Sequence, residues 1–147
     1  MRKWLLALVL GAIAIIPVAI AATASAQDET VRLTANLSAR NETAGGVPGG
    51  TGFAAIRITG DRVCWGVRWK NIDETIASHI HVGGAGVDGP IVVPLFLETP
   101  SQLFPHGCTT ADPALLADII ANPQNYYVNV HTHQAPPGAI RGQLMMP

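Results

Sequence analysis

The chain is poor in charge and in cysteine, and it lacks the short motifs on which the common enzyme classes rest. There is no Gly-x-Ser-x-Gly elbow, no glycine loop opening a helix onto a phosphate and no Cys-x-x-Cys. Serine-hydrolase, nucleotide-binding and dithiol chemistries of the usual kinds are therefore excluded. Only 13% of the 147 residues are charged. The acidic ones are scattered, and the Asp73-Glu74 pair reads as a solvated turn rather than a catalytic pair. Internal repeats and low-complexity tracts are absent. Setting aside Arg2 and Lys3 leaves seven basic residues against ten acidic ones, a net charge near −3. No run of basic residues remains to track a phosphate backbone or an anionic membrane, so nucleic acid is not an expected partner.

The longest hydrophobic run lies at the N-terminus. Arg2 and Lys3 precede an almost wholly apolar stretch from Trp4 to Ile20, and Ala24-Ser25-Ala26 supplies a small-x-small cleavage pattern. Residues 1–26 read as an export signal, with retention as an uncleaved anchor as the alternative. Either way residues 27–147 face an extracytosolic compartment, secreted or periplasmic, with no membrane span once the signal is cleaved. They are enough for a single domain. In that compartment Cys64 and Cys108 are expected to form a disulfide, closing a loop of about 44 residues and stabilising by roughly 3 to 4 kcal/mol. The competing reading, two buried or metal-binding thiols, lacks the short spacing of a zinc knuckle.

What the mature region does contain is short alternating runs broken by Gly, Pro, Asn and Asp, the pattern of antiparallel sheet. Val31, Leu33, Ala35 and Leu37 share one strand face, Ala54, Ile56 and Ile58 another, and Val63, Trp65, Val67 and Trp69 a third beyond a Gly60-Asp61 turn. "IASHIHV" and "PIVVPLFLE" follow; the second reads as buried on both faces, except that Pro94 points to an edge or a bulge. "YYVNVHTH" and "GAIRGQLMM" are the last two strands. The "AGGVPGG" stretch reads as flexible spacer, and His106 in "FPHGC" as a loop residue. One helix is predicted, with Asp112 as its cap, Pro113 at its first position and a stop at Asn122-Pro123. About seven short strands and one short helix predict an all-β, Greek-key, immunoglobulin-like sandwich or barrel.

Four of the five histidines fall in two His-x-His pairs, His79/His81 and His131/His133. Residues two apart on a strand point the same way with Cα atoms about 6.5 to 7 Å apart, so each pair forms a clamp of two imidazoles. Ile80 and Val130 mark the core side, which leaves the histidines on the other face or the rim with Tyr127 and Asn129. If the two strands are neighbours, four imidazoles meet, and an all-nitrogen site suits copper, zinc or nickel better than calcium or magnesium. The alternative is that the rings only hydrogen-bond to loop carbonyls.

"ASHIHVGGAGVDGPIVVPL" together with "YYVNVHTHQAPPGAIRGQL" resembles the CHRD domain family, named for chordin. The likeness runs through Ala77, His79, Ile80, His81, Gly89, Pro90, Val92, the run Tyr127 to Thr132, Pro137, Gly138 and Ile140 to Gln143, and spans about Val31 to Leu144. It implies an immunoglobulin-like β-barrel with no generally assigned enzymatic activity. His133 stands where family members need not have histidine, and Ala139 replaces a glutamate common before Ile-Arg-Gly. A shorter similarity, to copper, zinc superoxide dismutases, rests on His-x-His in a Greek-key strand and an arginine near the C-terminus, here Arg141.

Three readings of function follow. The first is an exported binding module that coordinates copper or zinc through His79, His81, His131 and His133 and meets an extracellular protein or surface partner. The second is a copper-dependent, dismutase-like oxidoreductase in which Arg141 guides an anion. The third is a structural cell-surface module without metal, whose histidines only hydrogen-bond to loops and in which Arg141 and Gln143 brace the terminal strand, with Asn129 and Tyr127 also structural.

Overall fold

The computed structural model describes residues 29–98 and 104–147. The expected export signal lies outside them. Eight strands form one continuous antiparallel sheet: β1 (Val31–Ser38), β2 (Thr51–Thr59), β3 (Arg62–Lys70), β4 (Thr75–Val82), β5 (Ile91–Leu97), β6 (His106–Thr110), β7 (Tyr126–Thr132) and β8 (Ile140–Gln143). Their order is β5-β4-β7-β8-β1-β2-β3-β6. Two outer strands, β5 and β6, approach each other and nearly close the sheet into a barrel. The chain is all-β, as the alternation predicts; in this order the successive pairs β3 and β4, β5 and β6, and β6 and β7 lie in opposite halves of the sheet.

Alternation translates directly into burial. Leu33, Ala35 and Leu37 of β1, Ala54, Ile56 and Ile58 of β2, and Val63 and Val67 of β3 fill the interior, where Ile80, Val128 and Val130 meet them. Trp65 and Trp69 are half-buried and pack against Phe96, with ring centroids 5.6 and 6.2 Å away. The one α-helix among the described residues, α1 (Pro113–Ala121), buries Leu116 and Ile119 in the same core. Its cap is the one expected: the Asp112 carboxylate accepts from the backbone N–H groups of Ala114 and Leu115 at 2.8 and 3.1 Å.

Three local expectations need correction. His106 is not in a loop: it opens β6, a strand with no large apolar side chain, held to β3 by a register that sets Cys64 opposite Cys108 and by the disulfide between them. Strand β5 is not buried on both faces but is an outer strand, with Ile91 and Leu97 exposed. Its proline sits beside an irregularity in the pairing between Ser78 and His79, where a missing N–H is tolerated. Nor is "AGGVPGG" a spacer. Val47 is buried and donates to the Ala139 carbonyl at 3.0 Å. Gly46, at φ +56°, sits so close to Ala39 and Ala139 that a Cβ would strike their backbones.

Candidate metal centre

Strands β4 and β7 are neighbours, as a combined site requires. The register sets His79 opposite Asn129, His81 opposite Tyr127 and Ala77 opposite His131, all on the sheet face away from the core. Three imidazoles converge there. His79, His81 and His131 each offer a ring nitrogen such that the three atoms lie within 4.8 Å of one another. His133 does not join them: β7 ends at Thr132, whose hydroxyl accepts from the Ala135 N–H in a tight turn, so the two-residue alternation stops and His133 is left exposed. The expected four-histidine set is thus a triad.

Backbone carbonyls determine how the rings are protonated. His81 Nδ1 lies 2.9 Å from the Gly89 carbonyl and His131 Nδ1 lies 2.8 Å from that of Pro136. A carbonyl only accepts, so each Nδ1 carries the proton and donates, leaving each Nε2 with a bare lone pair. This is the outer-shell arrangement that orients metal-binding histidines. His79 Nδ1 lies 3.1 Å from His131 Nε2. Two nitrogens about 2.0–2.1 Å from a shared ion are about 2.9 Å apart at a right angle and about 3.3 Å apart at a tetrahedral angle, so this spacing fits either geometry.

Electrostatics favour neutral rings. Burial, reinforced by neighbouring His131 and His81, pushes the His79 pKa down to about 4. Burial also lowers His81 and His131, against the opposing pull of the Gly89 and Pro136 carbonyls. Neutral imidazole is the form that binds metal. His81 Nε2 is buried and has no hydrogen-bond partner.

Behind the triad lies a layer of polar residues. Tyr127 stacks on His81 at 4.8 Å and 8° between planes, and its hydroxyl accepts from the Gly89 N–H at 3.2 Å. The Arg141 guanidinium covers Tyr127, 3.9 Å from the ring centroid. That side chain is 1% exposed and uses three of its five N–H groups: it pairs with Asp88 at 2.8 Å and donates to the carbonyls of Val87 and Gly84 at 3.0 and 3.3 Å. The loop between β4 and β5 is therefore tied to the ligand face through Gly89 and to Arg141 through Asp88. Asn129 donates to Glu42 at 2.9 Å. Burial raises the Glu42 pKa to about 7 despite the nearby Arg141. Neither Glu42 nor Asp88 was a candidate from the sequence; both lie in loops, and only the folded register brings them to this face.

Residues 33–144 match the CHRD domain model. The chain belongs to the CHRD domain family. The match covers all eight strands apart from the first two residues of β1. Comparison with curated proteins and with solved structures gives no match. Among the described residues no helix is long and apolar enough to cross a membrane.

Proposed function

We propose that this CHRD domain is an exported binding module that holds one copper or zinc ion through His79, His81 and His131. The observation that carries the reading is the buried His81 Nε2: the Gly89 carbonyl turns its lone pair loose, no hydrogen-bond donor meets it, and two further imidazole nitrogens stand beside it. Leaving such an acceptor unsatisfied costs about 1–3 kcal/mol, which a bound cation removes. Three imidazoles would fill three positions of a four-coordinate ion, with the fourth left for water or an outside ligand.

A binding role accounts for Arg141 better than a dismutase-like one does. An anion-guiding arginine has to turn its donors towards the metal, whereas three of this one's five N–H groups are taken by Asp88, Gly84 and Val87. The test is elemental mass spectrometry on tag-free protein purified from its exported compartment, beside a His81→Ala variant. One equivalent of copper or zinc in the parent and none in the variant supports the reading. Absence of metal, with no uptake on titration, rejects it.

A further inference from the structure

The chain carries a net negative charge, yet the fold collects its cations on one wall. Beyond position 26 there are seven basic residues. Five of them, Arg32, Arg57, Arg62, Arg68 and Lys70, lie at exposed positions on the outer face of β1, β2 and β3. These three strands and the adjoining β6 contain no Asp or Glu. Glu29 and Asp61 lie only at the margins, before β1 and in the β2–β3 turn. None of the five cations is within ion-pair distance of a carboxylate among the described residues.

Two features of the face point outwards from the fold. Arg32 and Arg57 are directly opposed in the β1–β2 register. Like charges at opposed positions destabilise a sheet, so nothing in the fold itself calls for that pair. Between the charges the floor is low: Ala55 is opposite Gly66, and a Cβ built on Gly66 would touch only His106, at 3.9 Å. The resulting depression of about 500 Å³ is lined by Arg32, Thr34, Ala55, Arg57, Gly66 and His106, among others. At one end Phe53 offers an aromatic ring with Arg68 lying over it, 5.1 Å from the centroid. From Arg62 to Lys70 the cations extend over about 26 Å at the strand rise.

We propose that this wall is a binding surface for an acidic polysaccharide, with uronate carboxylates taken by the arginines and the sugar rings lying over Ala55 and Gly66. Arginine forks match carboxylates in pairs of parallel hydrogen bonds. A shallow trough with the Thr34 hydroxyl in its wall and the Phe53 ring at its end suits a flat polyhydroxylated chain. The Cys64–Cys108 disulfide lies on this same face and belongs to an oxidising compartment. An anionic membrane is the competing surface, since exposed Phe104 stands beside Arg68 on this wall; the floor between Arg32 and Arg57 is Ala55 and Gly66, which would insert nothing into a bilayer.

The test is binding of the tag-free domain to polygalacturonate at two salt concentrations, with neutral dextran, double-stranded DNA and phosphatidylglycerol vesicles measured alongside. Expected are salt-sensitive binding to polygalacturonate, none to dextran, and weaker binding to DNA and vesicles. Arg57→Gln should weaken the polygalacturonate complex by about fivefold, the upper range for one exposed charge pair. Arg40→Gln, the same charge change in the 3-10 turn beyond β1, should leave it within about twofold. Equal losses for the two variants would reduce the effect to net charge and overturn the proposal. So would tighter binding to DNA or vesicles, or no binding to polygalacturonate at all. Thermal unfolding of both variants is followed so that loss of fold is not read as loss of binding.

Discussion

His79 Nδ1 and His131 Nε2 stand 3.1 Å apart, across two adjacent strands and 52 residues of chain. In the metal-free protein the first can donate to the second, which leaves His81 Nε2 as the odd nitrogen of the three. A metal ion replaces that lone hydrogen bond with three coordinate bonds. His81→Ala and His131→Ala should each lower copper or zinc affinity by more than about 100-fold, beyond the loss usual for an outer-shell change. His133→Ala should leave the stoichiometry at one ion per chain. Calorimetric titration of the three variants distinguishes a triad from a four-histidine site.

The same rings make the metal-free domain acid-sensitive. The His79 pKa, ordinarily near 6.5, is pushed down to about 4 in the folded state. The unfolded chain therefore takes up this proton first as the pH falls, and stability present above about 6.5 is lost progressively down to about 4. His81 and His131, also lowered, add to the same trend. Urea midpoints measured with a chelator should fall across this window, and less steeply in His79→Gln.

Glu42 works in the opposite direction. Its pKa is raised to about 7, so the folded state holds a proton that the unfolded chain releases near 4.3. The associated stability is complete below about 4 and lost as the pH rises through about 7. Glu42→Gln keeps an acceptor for Asn129 and removes the ionisation. It should stabilise the domain at pH 8 by about 1–3 kcal/mol and leave it nearly unchanged at pH 4, as read from urea unfolding at the two values.

How far the sequence reveals these features depends on the range of the interaction that makes them. The inward faces of β1, β2 and β3 follow from period-two alternation, and α1 from Asp112 and Pro113, because both signals are local. That His79 and His81 share a face follows in the same way. Which histidines meet does not, since it depends on the β4–β7 register and on where β7 stops; His133 is lost to a turn one residue beyond Thr132. Strand β6 is invisible in "HGCTT", whose pairing comes from β3 and the disulfide rather than from its own side chains. The basic wall is likewise hidden: Arg32 and Arg57 are 25 residues apart in sequence and face each other only in the sheet.

The disulfide secures that hidden strand. Cys64 and Cys108 join β3 to β6, an outer strand whose far side has no hydrogen-bonded strand among the described residues. Reduction, or a Cys64→Ser/Cys108→Ser change, should cost roughly 3 to 4 kcal/mol on the chain-entropy model. Hydrogen exchange should show the protection of β6 falling before that of β4 and β7. Uniform loss of protection would mean that β6 is integral to the cooperative unit rather than tied on by the bond.

Arg141 and Asp88 form the one ion pair among the described residues, and its two halves are unequal: the arginine is 1% exposed, the aspartate 68%. A carboxylate so open to water contributes as a surface partner, about 0–1 kcal/mol. The larger share belongs to the guanidinium's bonds to the Gly84 and Val87 carbonyls and to its packing on Tyr127. Asp88→Asn should therefore cost less than about 1 kcal/mol, and Arg141→Met about 2–3 kcal/mol from the lost donors. Because the same loop supplies the Gly89 carbonyl that orients His81, Arg141→Met should also weaken metal binding by about 10-fold, as an outer-shell change does, while Asp88→Asn leaves it nearly unchanged. Equal effects of the two substitutions, on unfolding and on metal affinity, would show that the ion pair itself, rather than the guanidinium's grip on the loop, holds this face together.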